Sequence, residues 1–498
     1  MKHFDSNVEY IKYLVNKEIA ARFFQGTLDE HTDSYQDIAK AIIPGPKAQF
    51  RCCIYKERHI IEDRVDLALN PTKDNIVINV LDSACDECPI DRFVVTEACR
   101  GCLSHKCQEV CPKHAITIVN HRSYINQEIC IECGRCKDVC PFNAISEVKR
   151  PCVRACPVKA VSMDDNRKSK IDHTKCVSCG SCVYQCPFGA IVDKTYIKDA
   201  LSLIKNSWNN TNYKVFAVVA PAIASQFPEY KLGQVFTAIK NLGFYDIAEA
   251  ALGADMVSLY EAKEFAETIE EKGWKTSSCC PAFVDFVKRH YPQLMSHVST
   301  AVSPMVAVAR MIKYQHPDAK IVFIGPCTAK KVEIKQKDLK DAIDLVLTFE
   351  ELQSVLDAKN IDVASLEEMS LENTAYCTSS YYGRVFGRTG GVTEGVTQAK
   401  EIQNINVEIK PVRCNGLDEC AKALRLASVG KLNGNFIEGM ACKNGCTGGA
   451  ASMCHAVKGI NDVTQYGKAA TSNNSLDALN GFDLSLINME RDYNNADY

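Results

Sequence analysis

Two stretches of the sequence share one pattern of cysteines: residues 130–141 read CIECGRCKDVCP, and residues 176–187 read CVSCGSCVYQCP. In each stretch three cysteines recur at every third position, and a fourth follows after three more residues, directly before a proline. Three thiolates on one tight loop can hold three metal ions of a single cluster. The fourth cysteine lies past a turn, and the proline after it directs the chain away from that cluster toward a second one. Both stretches therefore predict metal clusters bound by cysteine.

The composition of the whole chain agrees with this interpretation. The chain has 498 residues and 27 cysteines, and its N-terminus mixes charged with apolar residues, unlike a secretory signal. The cysteines therefore indicate metal ligation in a reducing compartment, and we expect an anaerobic, cytoplasmic setting. A net charge of −3 argues against a general nucleic-acid binder. Since no apolar run reaches the roughly 18 residues of a membrane span, we expect no membrane partner either.

The spacing C-x2-C-x2-C-x3-C-P is that of the [4Fe–4S] sites of bacterial ferredoxins. Zinc is the alternative metal, but zinc motifs use two cysteine pairs instead of a triplet and one more cysteine before proline. Residues 81–195 hold 16 of the cysteines and few long apolar runs, so clusters must supply cohesion there. A variant run ends at Cys111-Pro112 and a truncated one at Cys156-Pro157. Their similar distances to the two complete runs predict two tandem ferredoxin-like modules.

The fourth cysteine of a run binds the other cluster of its module, which assigns the ligands of four accessory [4Fe–4S] clusters. Cluster one takes Cys99, Cys102, Cys107 and Cys140; cluster two Cys130, Cys133, Cys136 and Cys111; cluster three Cys176, Cys179, Cys182 and Cys156; cluster four Cys85, Cys88, Cys152 and Cys186. An alternative pairs the two complete runs directly and leaves the other cysteines to zinc or to fewer clusters.

The rest of the sequence predicts the domain organisation. Ile11–Phe24 has helical periodicity, as do Met256–Lys272 and Ala282–Tyr291, whereas Val215–Val219 and Ile321–Ile324 are β-branched runs typical of buried strands. The predicted parts are a mixed lead-in region at 1–80, an iron–sulfur domain at 81–195, an Asn-rich linker at 196–213, an α/β domain at 214–460 and a polar, peripheral tail at 461–498.

Three separated cysteine motifs occur in the C-terminal half: TSSCCP at 276–281, GPCTAKKVE at 325–333 and EGMACKNGC at 438–446. Together and in this order they resemble the three signature motifs of the [FeFe]-hydrogenases, over roughly residues 214–456. Ala282, Phe283 and Gly325 resemble the group B branch of that family. The resemblance implies a multidomain α+β and α/β protein, in which tandem ferredoxin-like modules precede a two-lobed α/β iron hydrogenase catalytic domain.

The resemblance also implies an H-cluster, which is a [4Fe–4S] cube joined through one cysteine to a diiron unit with CO, cyanide and azadithiolate ligands. The positions that match the cube ligands are Cys280, Cys327, Cys442 and Cys446, the last of which matches the bridging cysteine. Lys330 matches the hydrogen-bond donor to one cyanide, and Met440 matches a packing residue beside the diiron unit. Pro221 and Ala222 match the loop beside the other cyanide.

The same resemblance implies a proton route from Cys279 through Glu261, Ser299 and Glu264. The two glutamates are three residues apart on a predicted helix and share a face, although carboxylates on a helix can equally form a solvated face. Thr268 stands where better-known members carry an arginine, which leaves the outer end of the route open.

The implied activity is the reversible conversion of protons and electrons into H₂. The accessory clusters would exchange electrons with a soluble ferredoxin-like carrier, and maturation proteins would install the diiron unit. A non-catalytic iron–sulfur assembly factor and an H₂ sensor are the alternatives. Met305, Gly325 and the stretch TGGAAS at 447–452 depart from the common family pattern. The cysteines predicted to be ordinary thiols are Cys52, Cys53, Cys377, Cys414, Cys420 and Cys454.

Overall fold

A computed structural model describes residues 4–28, 32–51, 53–70, 76–88, 91–371, 374–456 and 458–493. Three helices come first: α1 (Asn7–Gln25), α2 (Thr32–Ile42) and α3 (Ile54–Leu69). The Ser6 side chain accepts a hydrogen bond from the Glu9 amide at the start of α1, and Gly26 ends α1 with a φ of 69°. The helix predicted at Ile11–Phe24 is thus confirmed. Within these ranges, no helix is both long enough and apolar enough to cross a membrane.

The cysteine-rich region consists of short strands and short helices. They are β1 (Ile78–Val80), β2 (Phe93–Val95), α4 (Lys106–Glu109), β3 (Ile116–Val119), β4 (Arg122–Ile125), α5 (Arg135–Asp138), β5 (Ile145–Glu147), α6 (Pro151–Ala155), β6 (Val161–Met163), β7 (Ser169–Ile171), α7 (Ser181–Gln185) and β8 (Ile191–Asp193). The antiparallel pairs are β2 with β5, β3 with β4, β1 with β8, and β6 with β7. The strands therefore form two ferredoxin-like modules. In each module the first and last strands pair with each other, and the two strands between them form a hairpin.

The two ferredoxin-like modules are nested instead of strictly consecutive. Strand β1 belongs to the second module, because its partner β8 lies at that module's end. The first module, residues 91–149, is inserted between Cys88 and Cys152 of the second; we call it the inserted module and the other the outer module. The predicted pair of modules is confirmed, but the tandem order and the boundary at residue 81 are not. The sequence did not predict this pairing, because the periodicity around β1 carries no information about a partner strand as distant in sequence as β8.

The C-terminal part has two parallel sheets. Its elements are α8 (Ile197–Asn206), β9 (Val215–Val219), α9 (Leu232–Asn241), β10 (Asp246–Glu249), α10 (Ala250–Lys272), β11 (Lys275–Thr276), α11 (Pro281–His290), α12 (Pro304–Gln315), β12 (Lys320–Gly325), α13 (Lys330–Glu333), β13 (Leu345–Thr348), α14 (Phe349–Ala358), α15 (Tyr381–Val385), α16 (Gly391–Ile402), β14 (Pro411–Asn415), α17 (Leu417–Ser428), β15 (Phe436–Met440), α18 (Gly459–Lys468) and α19 (Ser475–Ala478). Short 3-10 helices lie at Asp82–Ala84, Pro221–Ser225, Pro292–His297, Val363–Ser365, Gly445–Gly448 and Leu484–Leu486.

One sheet has the strand order β10-β9-β12-β13 and the other β11-β15-β14, and every pair in them is parallel. Helices cover both sheets, as parallel sheets require, because both faces of such a sheet must be buried. All five residues of β9 are buried. The predicted two-lobed α/β domain is confirmed, and so are the strands at Val215–Val219 and Ile321–Ile324.

Two predicted peripheral segments are instead packed into the fold. The linker predicted at 196–213 contains α8, which buries Ile197, Ala200 and Leu201 in the main core. The segment was predicted to be a linker because its end is rich in Asn, although the residues before that end have apolar side chains at helical spacing. The tail predicted at 461–498 contains α18 and α19, and Arg491 within it is 6% exposed. The polar composition of this tail predicted a peripheral segment, because only a few of its residues pack against the rest of the protein.

A buried set of charged residues joins three parts of the chain; we call it the interdomain ion network. Lys331 in α13 is fully buried and lies 2.9 Å from Asp193 in β8 and 2.8 Å from Glu351 in α14. Lys12 in α1 lies 2.6 Å from Asp193 and also pairs with Glu350. The network therefore ties the N-terminal helices and the outer module to the two-sheet domain.

Candidate active site

The carboxyl ends of the two parallel sheets open onto one cavity. Loops that follow parallel strands at this edge are the usual ligand sites of α/β proteins. The cavity measures about 100 Å³, well above the roughly 10–15 Å³ that one water needs. Its wall includes all four predicted cube ligands and the predicted proton donor: Cys280, Cys327, Cys442, Cys446 and Cys279. Sequence motifs far apart in the chain are therefore brought to one place.

Each cysteine reaches the cavity from the end of a regular element. Cys280 precedes the first residue of α11, and Cys327 follows β12. Cys442 follows β15, and Cys446 lies in the 3-10 helix Gly445–Gly448. Gly445 has a φ of 70°, and a Cβ there would lie 2.4 Å from the Gly387 carbonyl oxygen, so the turn that presents Cys446 requires glycine.

The electrostatics of these thiols fit a metal cluster. Burial raises the pKa of Cys327 to about 12 and that of Cys446 to about 11, and it raises the pKa of Cys442 well above its usual value. Charge on neighbouring sulfurs, such as Cys280 next to Cys327, raises these pKa values further. So many thiols in one buried cavity ionise together only when a cationic centre binds them. The donor set therefore suits an iron–sulfur cube.

The other predicted cavity residues are placed as follows. Lys330 and Met440 line the cavity, and the Lys330 ammonium lies 2.6 Å from Glu333. Pro221 also lines it, but Ala222 is buried outside the cavity wall, where Ala220 stands instead. A 3-10 helix begins at Pro221 and changes the direction of the chain there.

Glu261 is a buried carboxylate with one unsatisfied oxygen. Its Oε1 accepts hydrogen bonds from the Ser278 amide at 3.2 Å and hydroxyl at 3.3 Å. Its Oε2 has no hydrogen-bond partner among the described residues. Burial, and after it the charge of Glu264, raises the pKa of Glu261 to about 7. Glu261 is also the strongest charged influence on the Cys279 thiol, whose pKa burial raises well above its usual value.

Ser299 links this carboxylate to the next. Its hydroxyl donates to Glu264 Oε2 at 2.6 Å and helps to lower the pKa of Glu261. Burial works against ionisation of Glu264, but Lys275, 2.6 Å away, holds the pKa of Glu264 below its usual value. The structure thus joins Ser299 to Glu264 by a hydrogen bond and brings Glu261 near both, without a hydrogen bond between Glu261 and Ser299 among the described residues. Sequence reasoning missed Lys275, although it lies directly before the first cysteine motif.

The accessory cysteines lie in several close groups. Cys99, Cys102, Cys107 and Cys140 line one small cavity of the inserted module. Charge effects connect Cys136 with Cys130 and Cys133, and Cys111 and Cys130 pack against the hydrophobic core that contains Cys136. In the outer module such effects connect Cys88 with Cys85, Cys152 and Cys186, and Cys182 with Cys176, Cys179 and Cys156.

The outer module lies directly against the active-site cavity. The Thr328 hydroxyl, next to Cys327, donates to the Ser178 carbonyl oxygen at 2.7 Å. Charge on Cys179 raises the pKa of Cys442. The cysteines assigned to cluster three therefore border those assigned to the cube.

The remaining cysteines lie outside these sets. Cys52 is outside the described residues, and Cys53 directly precedes α3. Cys377 is buried and donates to a backbone carbonyl oxygen. Cys414 and Cys420 are buried, and their thiols donate to the carbonyl oxygens of Val412 at 3.8 Å and Met440 at 3.6 Å.

Comparison with known proteins agrees with this geometry. Residues 213–450 match the family "Iron only hydrogenase large subunit, C-terminal domain", residues 123–146 match a "4Fe-4S binding domain", and residues 150–190 match a "4Fe-4S dicluster domain". Iron hydrogenase 1 of Clostridium pasteurianum is 29% identical over 300 residues, which are 51% of this chain and 52% of that protein.

A probable cytosolic Fe-S cluster assembly factor of Aedes aegypti is 26% identical over 318 residues, or 52% of this chain and 66% of that protein. A variant of the [FeFe]-hydrogenase HydA1 from Chlamydomonas reinhardtii is 20% identical, with a TM-score of 0.48 over 59% of this chain and 98% of that chain. The chain covers only 52% to 61% of the length of the first two hydrogenases it matches. From the matched domains and the cysteine-lined cavity within them, we conclude that this chain is an [FeFe]-hydrogenase-like protein with N-terminal 4Fe–4S modules.

Proposed function

We propose that the chain is an [FeFe]-hydrogenase that interconverts protons, electrons and H₂ at an H-cluster. The observation that carries this proposal is the fifth thiol, Cys279, in a cavity that already has four cysteines for a cube. A purely structural cube needs only four thiolates. Cys279 is next to a row of buried carboxylates, which is the arrangement that proton transfer requires.

In this proposal Cys280, Cys327, Cys442 and Cys446 would hold the cube, and Cys446 would also help to hold the diiron unit. When bound, the diiron unit would supply an open iron position and an amine base at which H₂ forms or splits. The Lys330 ammonium would orient an anionic ligand, because such hydrogen bonds are strong in a cavity that excludes water. Met440 would pack as a soft apolar surface.

The protein's own residues move the proton. Cys279 stays protonated at neutral pH, because burial raises its pKa. Glu261, with a pKa of about 7, can both accept and release a proton near neutrality. The Ser299 hydroxyl would pass the proton between Glu261 and Glu264. These steps keep the proton on named side chains, of which Glu261 and Ser299 are buried.

Electrons would travel through four accessory [4Fe–4S] clusters, which contain about 16 irons in total. Cluster three adjoins the cavity, and the inserted module would receive electrons from a soluble ferredoxin-like carrier in the cytoplasm. Leu103 is 99% exposed and Phe142 49% exposed beside the cysteines of cluster one. Arg100 and Lys106 flank them, and neither forms an ion pair with any described residue. An acidic carrier would fit this surface.

Charge reversal at this surface tests the partner. We expect the double variant Arg100→Glu and Lys106→Glu to raise the KM for an acidic ferredoxin roughly tenfold at low ionic strength, because two attractive contacts become repulsive. The kcat should stay unchanged, and salt should remove most of the difference. The matched control, Lys337→Glu with Lys340→Glu in the two-sheet domain, should leave KM unchanged. An equal effect of both pairs would point to net charge instead of a docking site.

The second candidate is a non-catalytic iron–sulfur assembly protein, which the similarity to an assembly factor favours. The two candidates differ in the diiron unit. After production of the full chain with maturation proteins, hydrogenase function predicts infrared bands of CO and cyanide and H₂ evolution from a reduced low-potential donor. The matured chain would then hold about 22 irons, about 16 of them in the accessory clusters, about four in the cube and about two in the diiron unit. Iron well below about 22 per fully matured chain would contradict four accessory clusters. Absence of the infrared bands together with absence of H₂ would defeat the hydrogenase proposal.

A further inference from the structure

Beyond Glu264, a row of oxygen atoms leads from the interior to the surface. Thr300 Oγ1 donates to Glu264 Oε1 at 2.9 Å and lies 3.1 Å from the Tyr260 hydroxyl. The Tyr260 hydroxyl donates to Glu490 Oε1 at 3.0 Å, and Glu490 is exposed. We propose that Thr300, Tyr260 and Glu490, here called the exit wire, carry protons between Glu264 and solvent. This inference rests on the proposed hydrogenase function.

The contacts of the Glu264 carboxylate show that its hydrogen-bonded path toward the surface runs through the exit wire. Its Oε2 faces inward to Ser299, and its Oε1 contacts Lys275, which is 2% exposed, and the amide and hydroxyl of Thr300. Thr268, at the position of the family's arginine, donates to the backbone carbonyl of Glu264 at 2.7 Å. Among the hydrogen bonds of the described residues, Thr300 therefore supplies the one hydroxyl that connects this carboxylate outward.

The number of hydrogens suits proton transfer. The wire has three gaps between oxygens: Glu264 to Thr300, Thr300 to Tyr260, and Tyr260 to Glu490. The two hydroxyl groups supply two hydrogens, so one gap stays empty while both glutamates are ionised. One additional proton, entering at either carboxylate, fills the third gap, and a shift of hydrogens along the row releases a proton at the other end. Charge thus crosses by rotation of the two hydroxyl hydrogens and proton shifts along the row, without displacement of any oxygen atom.

The C-terminal segment holds the outer end in place. Backbone hydrogen bonds of 2.8 Å connect the Val302 amide to Met489 and the Arg491 amide to Thr300, so residues 489–491 run beside residues 300–302. The Tyr493 hydroxyl donates to the Ser299 carbonyl oxygen at 2.8 Å. The segment that contains Glu490 is therefore fastened along the residues that form the route.

The test compares variants that cut the wire with variants that keep it. Tyr260→Phe, Glu490→Gln and Thr300→Val each remove one proton-carrying group, whereas Thr300→Ser keeps the hydroxyl. Tyr314→Phe and Glu270→Gln make the same chemical changes at other exposed positions and serve as controls. The first readout needs no hydrogenase activity: it follows hydrogen–deuterium exchange of the protonated Glu261 carboxyl by infrared spectroscopy, in the full chain with its cubes but without the diiron unit.

We expect each cutting variant to slow this exchange at least about tenfold, and Thr300→Ser and the controls to exchange like the unmodified chain. In the matured protein the same variants should slow H₂ evolution, and Tyr260→Phe with Glu490→Gln should be no slower than either alone, because both cut one route. Unchanged exchange in all three cutting variants would overturn the exit wire. If the matured unmodified chain evolves no H₂, the proposed function fails, while the exchange result still decides the wire.

Discussion

Replacement of Cys279 by alanine is expected to slow H₂ evolution by about 10²–10⁴-fold, the usual contribution of a positioned proton donor. Cys279 lies in the cavity wall, and burial keeps its thiol protonated. In the proposed route alanine removes the proton that the thiol would carry toward Glu261, whose Oε2 has no hydrogen-bond partner within the described ranges. The rate is measured with a reduced low-potential donor, and infrared bands of the diiron unit report whether the cofactor is intact.

The matched control is Cys377→Ala, which removes a buried thiol that is not in the cavity wall. It should keep the rate of H₂ evolution, at some loss of stability. Equal rates for Cys279→Ala and the unmodified protein would remove Cys279 from the mechanism. Loss of the infrared bands in Cys279→Ala would instead assign the thiol a structural role in cofactor binding.

The largest effect on stability is expected from Lys331→Met in the interdomain ion network. The lysine is fully buried between Asp193 and Glu351, and the Lys194 carbonyl oxygen accepts its third hydrogen bond. Methionine fills a similar volume but leaves the buried Glu351 without its cation and Asp193 with Lys12 alone. Breaking such a buried pair costs about 3–5 kcal/mol. The unfolding midpoint in urea, measured with iron release, reports the loss.

Lys337→Met provides the comparison, because Lys337 is an exposed lysine only six positions away. A surface replacement of this kind should change the free energy of unfolding by less than about 0.5 kcal/mol. If the two variants unfold at the same urea concentration, the ion network does not join the domains energetically.

The sequence predicted what depends on local spacing. The proposed cluster ligands follow from cysteine intervals, except for Cys85 and Cys88, which were assigned as the remaining pair. In the structure Cys88 lies near Cys85, Cys152 and Cys186. Strand β9 has the predicted ends, because a continuous β-branched run is typical of a strand buried on both faces. The active-site cysteines were placed by resemblance to a family, since residues 280, 327, 442 and 446 share no local pattern.

What the sequence did not reveal depends on contacts between distant segments. Lys331 and Asp193 look like ordinary surface charges until the outer module and the two-sheet domain meet. Tyr260 and Glu490 are 230 positions apart and meet only because the C-terminal segment folds back. Periodicity reports which face of one element is buried, and it does not report which element covers that face.

The nesting of the modules makes the length of the electron relay adjustable. The inserted module leaves the outer module after Cys88 and returns before Cys152, and its own first and last strands pair with each other, Phe93 opposite Glu147. Its two ends are therefore neighbours, and a short loop could replace the whole insert without stretching the outer module. Such an excision would remove two cubes and restore a compact ferredoxin run around Cys85, Cys88 and Cys152. The distance over which the chain would collect electrons could then be changed separately from the proposed hydrogen chemistry.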